Sequence, residues 1–149
     1  SAAAATPAPR PTDVAQVRDL VRDAIDRRTR LRIVGRGTWL DAGRPVLDAH
    51  VVRLDALTGI VDYTPGDLTL TARAGTTLAE ISEATAAHGQ MLALAPWGGD
   101  GGSLGAAAAT ASAGPMSGTF GTPRDIVIGL EAVTGTVLIG SGIRVAIIQ

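Results

Sequence analysis

The spacing of apolar positions changes several times along the chain, and each change marks an element. Val14, Val17, Leu20, Val21, Ala24 and Ile25 recur at helical spacing with Arg and Asp between them. That pattern predicts an amphipathic helix capped by Thr12 or Asp13. With Asp13 as the cap, Gln16 falls at the reciprocal position of a capping box. Arg27, Arg28 and Arg30 crowd the far end, where positive charge suits the helix dipole. Residues 31 to 34 read as a short strand running into Gly35-Arg36-Gly37-Thr38, and 51 to 54 and 60 to 63 are two more β-rich runs. From 68 to 74, Leu68, Leu70, Ala72 and Ala74 alternate with Thr69, Thr71 and Arg73, as in a half-buried strand.

Gly75 breaks that strand, and Thr77-Leu78-Ala79-Glu80 is a capping box opening a helix with an inner face of Leu78, Ile81 and Ala84 or Thr85. Gly89 is placed to stop it. Residues 91 to 94 read as a short strand ending at Pro96. A glycine-rich segment follows, from Gly98 to Gly105, then the run Ala106 to Ala109. Residues 126 to 133 and 136 to 139 look like paired strands around a turn at Gly135, and 143 to 148 is a last apolar run. Short strands mixed with two or three helices define an α+β class. Residues 1 to 11, rich in Ala and Pro, read as a flexible leader without the apolar stretch of a secretory signal.

Composition narrows the chemistry. The 149 residues suit one domain, and 26 alanines and 19 glycines against one Phe, one Tyr and two Trp imply a core of small side chains with closely approaching backbone. A net charge of −1 argues against a nucleic-acid footprint. All 13 basic residues are Arg, which excludes a Schiff-base lysine and the lysine of a Walker loop. Without Cys there is no disulfide, thiolate nucleophile or iron–sulfur ligation within the chain, and with only His50 and His88 no histidine-rich metal site is expected. No apolar run approaches the ~18 residues of a membrane span, and the expected setting is cytoplasmic.

Two segments carry candidate chemistry. Gly35-Arg36-Gly37-Thr38 follows a strand, where glycine lets backbone amides approach an anion and Thr38 adds a hydroxyl. It lacks the third glycine of a Rossmann fingerprint. In the second segment a glycine-rich loop leads through Ser103-Leu104-Gly105 into four alanines, a helix start whose unbonded amides suit a phosphate. Each alone also reads as a plain turn or a close-packed helix. Together they favour a diphosphate-bearing cofactor.

These residues resemble the flavoproteins of the vanillyl-alcohol-oxidase and p-cresol-methylhydroxylase type, and among them the FAD-binding subunits of bacterial glycolate oxidases. The resemblance runs from about Thr12 to Gly142 through PTDVAQV, LRIVGRGT, VVRLDALTGIVDYTPGDLTLTARAGTTLAEI, HGQMLALAP, GGSLGAAAATASAGP and FGTPRDIVIGLEAV. It implies two small α+β subdomains, about 12–58 and 59–149, with FAD between them. It assigns Gly35, Arg36, Gly37 and Thr38 to the pyrophosphate, Pro96 to the loop beside the flavin, and Ser103, Leu104, Gly105 and Ala106 to a second pyrophosphate element. Thr110, Ser112 and Gly114 match positions lining the isoalloxazine, Phe120-Gly121 a Tyr-Gly pair nearby, and Arg124-Asp125 a pair that starts the next strand.

Ala106 replaces the second glycine of the usual Gly-Gly pair. Covalent members often carry His in the first loop, where this chain has Trp39 after Thr38, so non-covalent FAD is expected. Such relatives continue past residue 139 into a further domain. Here the text stops at Gln149, as a fragment or after a spliced segment, and the second subdomain is expected to be incomplete. The resemblance implies an FAD-holding subunit of a 2-hydroxy-acid oxidoreductase, with a companion flavoprotein and an iron–sulfur subunit as partners and any membrane contact made through them. A scaffold of the same fold that no longer binds FAD is the alternative reading. Arg36, Arg73 and Arg124 are candidate anion contacts, and no catalytic residue is assignable.

Overall fold

Asp13 closes the N-terminus of the first helix, α1 (Val14–Asp26), by accepting the Gln16 amide at 2.9 Å. The return bond expected from Gln16 goes one residue further out: its side-chain oxygen accepts the Thr12 amide at 3.0 Å. The computed structural model describes residues 7–41, 47–96, 99–134 and 138–147. After α1 come β1 (Leu31–Val34) and β2 (His50–Arg53), which pair in parallel from Leu31↔His50 to Val34↔Arg53 as a two-stranded sheet. Asp55, almost wholly buried just after β2, takes Arg10 on one carboxylate oxygen at 3.0 Å and Arg53 on the other at 3.0 Å. The Arg53 amide also donates to the Pro9 carbonyl at 2.9 Å, so residues 9 to 11 lie along β2, with Pro11 buried.

The second sheet holds β3 (Ile60–Thr64), β4 (Thr69–Ala72), β5 (Val127–Val133) and β6 (Leu138–Ala146), in the order β3-β4-β6-β5 with every pairing antiparallel. The alternation read across residues 68 to 74 holds over β4 alone, since Leu68 precedes the strand at φ 54 and residues 73 and 74 follow it. Leu70 and Ala72 are fully buried, and the threonines between them are half-buried. Across the ladder Leu70 faces Val145 and Ala72 faces Ile143, so the same side of β6 joins the core. On that side pack α2 (Leu78–Ala86), through Leu78 and Ile81, and α3 (Leu104–Thr110), through Leu104 and Ala107. Two single-turn helices follow, α4 (Ser117–Phe120) and α5 (Pro123–Ile126).

Three sequence readings are corrected. The two apolar runs expected at 136–139 and 143–148 belong to one nine-residue strand, β6, with Gly140 and Gly142 inside it. Thr136, Ile148 and the turn expected at Gly135 lie outside the described residues. Residues 91 to 94 form no strand. Met91 makes only an isolated bridge, and Leu92, Ala93 and Leu94 are buried in the core as irregular chain. Finally, Arg124-Asp125 does not begin a strand but forms the single turn α5, and β5 starts at Val127.

The other face of the large sheet meets α1 imperfectly. Val14, Val17 and Val21 of the helix look across a crevice at Ile33, Leu57 and Val133. Into this apolar space projects Glu131, whose Oε2 is buried and has no hydrogen-bond partner. Desolvation raises the pKa of its carboxyl, and the Gly142 amide offsets only part of that.

Candidate functional site

The strand β1 ends at Val34, whose carbonyl accepts the Leu54 amide at 2.8 Å, and the chain then leaves the ladder. Gly37 turns it at φ +79, a backbone state that glycine adopts without steric penalty. Arg32 reaches forward and donates to the Leu40 carbonyl at 2.9 Å, fixing the far end of this loop. Among the described residues, the amides of Gly35, Arg36 and Gly37 donate to no protein acceptor, and so remain free to meet an anion.

The second loop is held differently. The capping box on α2 is present in full: Thr77 accepts the Glu80 amide at 3.1 Å, and the Glu80 carboxylate accepts the Thr77 amide at 2.7 Å. Thr77's hydroxyl and amide together hold the Glu80 carboxyl below its ordinary pKa, with a smaller contribution from Arg36. The next amides of α2 are taken by the glycine loop itself, Leu78 donating to Gly102 and Ala79 to Asp100, each at 3.0 Å. In return Leu104 donates to Thr76 at 2.9 Å and Gly105 to Ala74 at 2.8 Å. Ser103, 2% exposed, caps α3 by accepting the Ala106 amide on its hydroxyl at 3.3 Å.

The amides of 104 to 106 were expected to be open to a phosphate, yet all three have acceptors inside the protein. The stapling of the 74–76 segment against the loop is a tertiary event that nothing in the local text announces. Among the described residues, the amides of Gly101 and Gly102 keep no such partner.

The two loops meet. A Cβ placed on Gly35 would lie 2.5 Å from the Ser103 Oγ, so only a glycine lets the first loop pass this close. Thr38 and Trp39 on one side and Gly99, Gly102, Ser103, Ala106, Ala107 and Thr110 on the other line a single cleft of about 60 Å³, with Pro96 and Ser112 along its length. Pro96 and Ser112 are brought near each other because Gly114 packs against the Ala95 carbonyl, where no side chain would fit.

Of the residues read from sequence, Thr38, Pro96, Ser103, Ala106, Thr110 and Ser112 therefore share one cleft, with Gly35 forming the contact between its two sides. Gly37 shapes its loop, and Arg36 is exposed beside it. Leu104 is fully buried in the core, and Gly105 packs on Ala74, so both place the helix rather than line the cleft. Gly114 backs Ala95, while Phe120 lies 41% exposed at the end of α4 and Gly121 rests on the Asp125 side chain, away from the cleft lining. Arg73 lines the α1 crevice, and Arg124 is exposed on α5. Sequence reasoning passed over Trp39, Gly99, Gly102 and Ala107 as lining residues. Trp39's exposed indole was the one signal that could have been weighed.

A mixed α+β domain in which a glycine-rich strand end and a glycine-rich helix lead enclose one cleft is built to hold a nucleotide-type cofactor. The family model described as an FAD binding domain matches residues 8–139, and the chain belongs to that family, with FAD as its cofactor. It is 38% identical over 120 residues to the glycolate oxidase subunit GlcE of Escherichia coli (strain K12), an alignment covering 77% of this chain and 33% of that protein. The chain thus spans about a third of the length of this curated relative. Two crystal forms of alkyldihydroxyacetonephosphate synthase share the fold, with TM-scores of 0.76 and 0.75 at 18% and 19% identity. They cover 93% of this chain and 30% and 32% of theirs.

The residues present fit FAD. Free amides on the first loop suit a pyrophosphate, and Gly35 and the small residues of the far wall keep bulky side chains out of its approach. Among the described residues there is no cluster of His, Asp and Glu able to hold a metal ion, and no helix is long and apolar enough to cross a membrane.

Proposed function

We propose that this chain is the FAD-holding part of an oxidoreductase complex acting on small 2-hydroxy acids in the manner of glycolate oxidase. The observation that carries the reading is the shared cleft, which joins Thr38 and Trp39 after β1 to Pro96, Ser103, Ala106, Thr110 and Ser112. The free amides of Gly35, Arg36 and Gly37 and the Thr38 hydroxyl bind the pyrophosphate. Gly101, Gly102 and the Ser103 hydroxyl face it from the other loop, and Ala106, Thr110 and Ser112 floor the ring. The likeness to a glycolate oxidase subunit supports the substrate class and the presence of partner subunits. In this reading the partners are a companion flavoprotein and an iron–sulfur subunit, in a cytoplasmic assembly that reaches the membrane only through them.

FAD, when bound, supplies the redox chemistry by accepting two electrons from a donor and passing them on. The protein's own contribution is binding, orientation and shielding. Neither histidine lines the cleft: His88 lies exposed with its ring edge-on to Tyr63 at 5.4 Å, and His50 is exposed at the start of β2. With no Cys in the chain, the cleft offers no side chain of the type that links flavin covalently, which supports non-covalent FAD.

The test is an absorption spectrum of the purified, undenatured chain, followed by acid release of the chromophore. Flavin bands and near-stoichiometric FAD are expected. A colourless protein that also fails to take up added FAD would overturn the proposal and favour the scaffold reading.

A further inference from the structure

The aromatic inventory of the chain is short, and its members are spent differently. Tyr63 is half-buried, donates to the Gln90 side chain at 2.7 Å and packs edge-on to His88. Phe120 sits on α4, outside the cleft lining. Trp39 lines the cleft and is 48% exposed. Exposure alone does not single out Trp39, but its place in the cleft lining leaves its indole available to a flat partner there.

Its mounting is firm. The Arg32 bond to the Leu40 carbonyl at 2.9 Å closes the loop one residue beyond it. The Leu40 side chain folds back to 3.6 Å from where a Cβ on Gly37 would stand. Across the cleft lie Ala106, Ala107 and Thr110, which are too small to fill the gap themselves. The cleft therefore sets one accessible indole among small side chains, a chemistry suited to stacking on a planar ring.

We propose that Trp39 is the stacking partner of the isoalloxazine ring of FAD. This rests on the FAD site proposed above and adds a residue to it. Indole is electron-rich and oxidised isoalloxazine electron-poor, so contact between them both adds affinity and quenches flavin emission. Adenine, the other flat ring of FAD, would gain affinity without that quenching.

The experiment titrates FAD into the flavin-stripped chain, in a Trp97→Phe background so that no second indole contributes. Flavin fluorescence and the dissociation constant are read together, with ADP as a competitor. The expected result is strong quenching in the background chain. Trp39→Ala should weaken FAD binding about tenfold and recover most of the emission, leaving ADP competition unchanged. Trp39→Phe should keep most of the affinity yet recover the emission, which decides the matter should the alanine variant fold poorly.

Unchanged affinity and quenching in both variants would overturn the role of Trp39 while leaving the FAD site intact. Weakened ADP competition would assign the indole to adenine and equally overturn it. Failure of the background chain itself to take up FAD would instead overturn the site.

Discussion

Gly35 and Ser103 lie 68 positions apart in sequence, yet a methyl group on the first would come within 2.5 Å of the hydroxyl of the second. This contact is what turns two unremarkable glycine-rich stretches into one cleft. It also separates two kinds of glycine in the chain, those that admit a neighbour at the cleft and those that admit backbone in the core.

Gly35→Ala should act on the cofactor first. The Ser103 hydroxyl is the end of a small side chain, so the loops can part by a few tenths of an ångström without unfolding. FAD affinity is expected to fall about tenfold or more, with a thermal midpoint shifted by no more than about 3 °C in the stripped protein. Affinity titration and calorimetry on one sample separate the two effects, and wild-type affinity would contradict the two-loop geometry.

Gly75→Ala should act on the fold. A Cβ there would collide with the Leu54 carbonyl and lie 2.8 Å from that of Leu57, both backbone atoms that cannot swing aside. A loss of about 2–3 kcal/mol is expected in urea unfolding. Gly105→Ala, pressed 2.8 Å from the Ala74 carbonyl, should behave similarly, losing FAD only in step with stability.

Glu131→Gln tests the crevice under α1. Desolvation raises the pKa of this carboxyl in the folded chain above the ordinary glutamate range near 4.3. Below that range folded and unfolded chains both hold the proton, so the side chain gives no pH dependence. As pH rises the unfolded chain releases it first, and stability falls until the raised folded pKa is passed. Glutamine cannot ionise and can still accept the Gly142 amide. Thermal scans should therefore show the variant more stable by a few degrees, about 2–5 °C, at pH 8 and indistinguishable at pH 4.

Ala111→Gly should stabilise. Ala111 ends α3 in the left-handed region at φ 47, where a side chain is strained and glycine is not. A gain of about 0.5–1 kcal/mol in urea unfolding is expected. It should come without loss of FAD, because Ala111 does not line the cleft.

Local chemistry made much of this legible. The Thr77–Glu80 box, the α1 stripe and the alternation around Leu70 are written in neighbouring residues, and each appears where its spacing placed it, except that Ile25 of the α1 stripe is left 51% exposed. The misses are relations between distant segments. Residues 136–139 and 143–148 read as separate runs, yet Gly142 between them lies within β6, where the Thr71 methyl and the Ala72 carbonyl stand 2.9 and 3.2 Å from its missing Cβ. The buried run at 92–94 has strand-like composition but no ladder partner among the described residues, which periodicity cannot reveal. The helix start at 104 looked open to an anion because the carbonyls of Thr76 and Ala74 that occupy it lie some 30 positions earlier.

The cleft draws one wall from the loop after β1, in the small parallel sheet, and the other from helices packed on the large antiparallel one. Whatever fills it acts as mortar between two courses of masonry. Each decade of free FAD above its dissociation constant adds about 1.4 kcal/mol to the joint. The stripped chain should therefore exchange its amide hydrogens fastest along Gly35–Leu40 and Gly99–Ser103, and the loaded chain should seal both stretches at once.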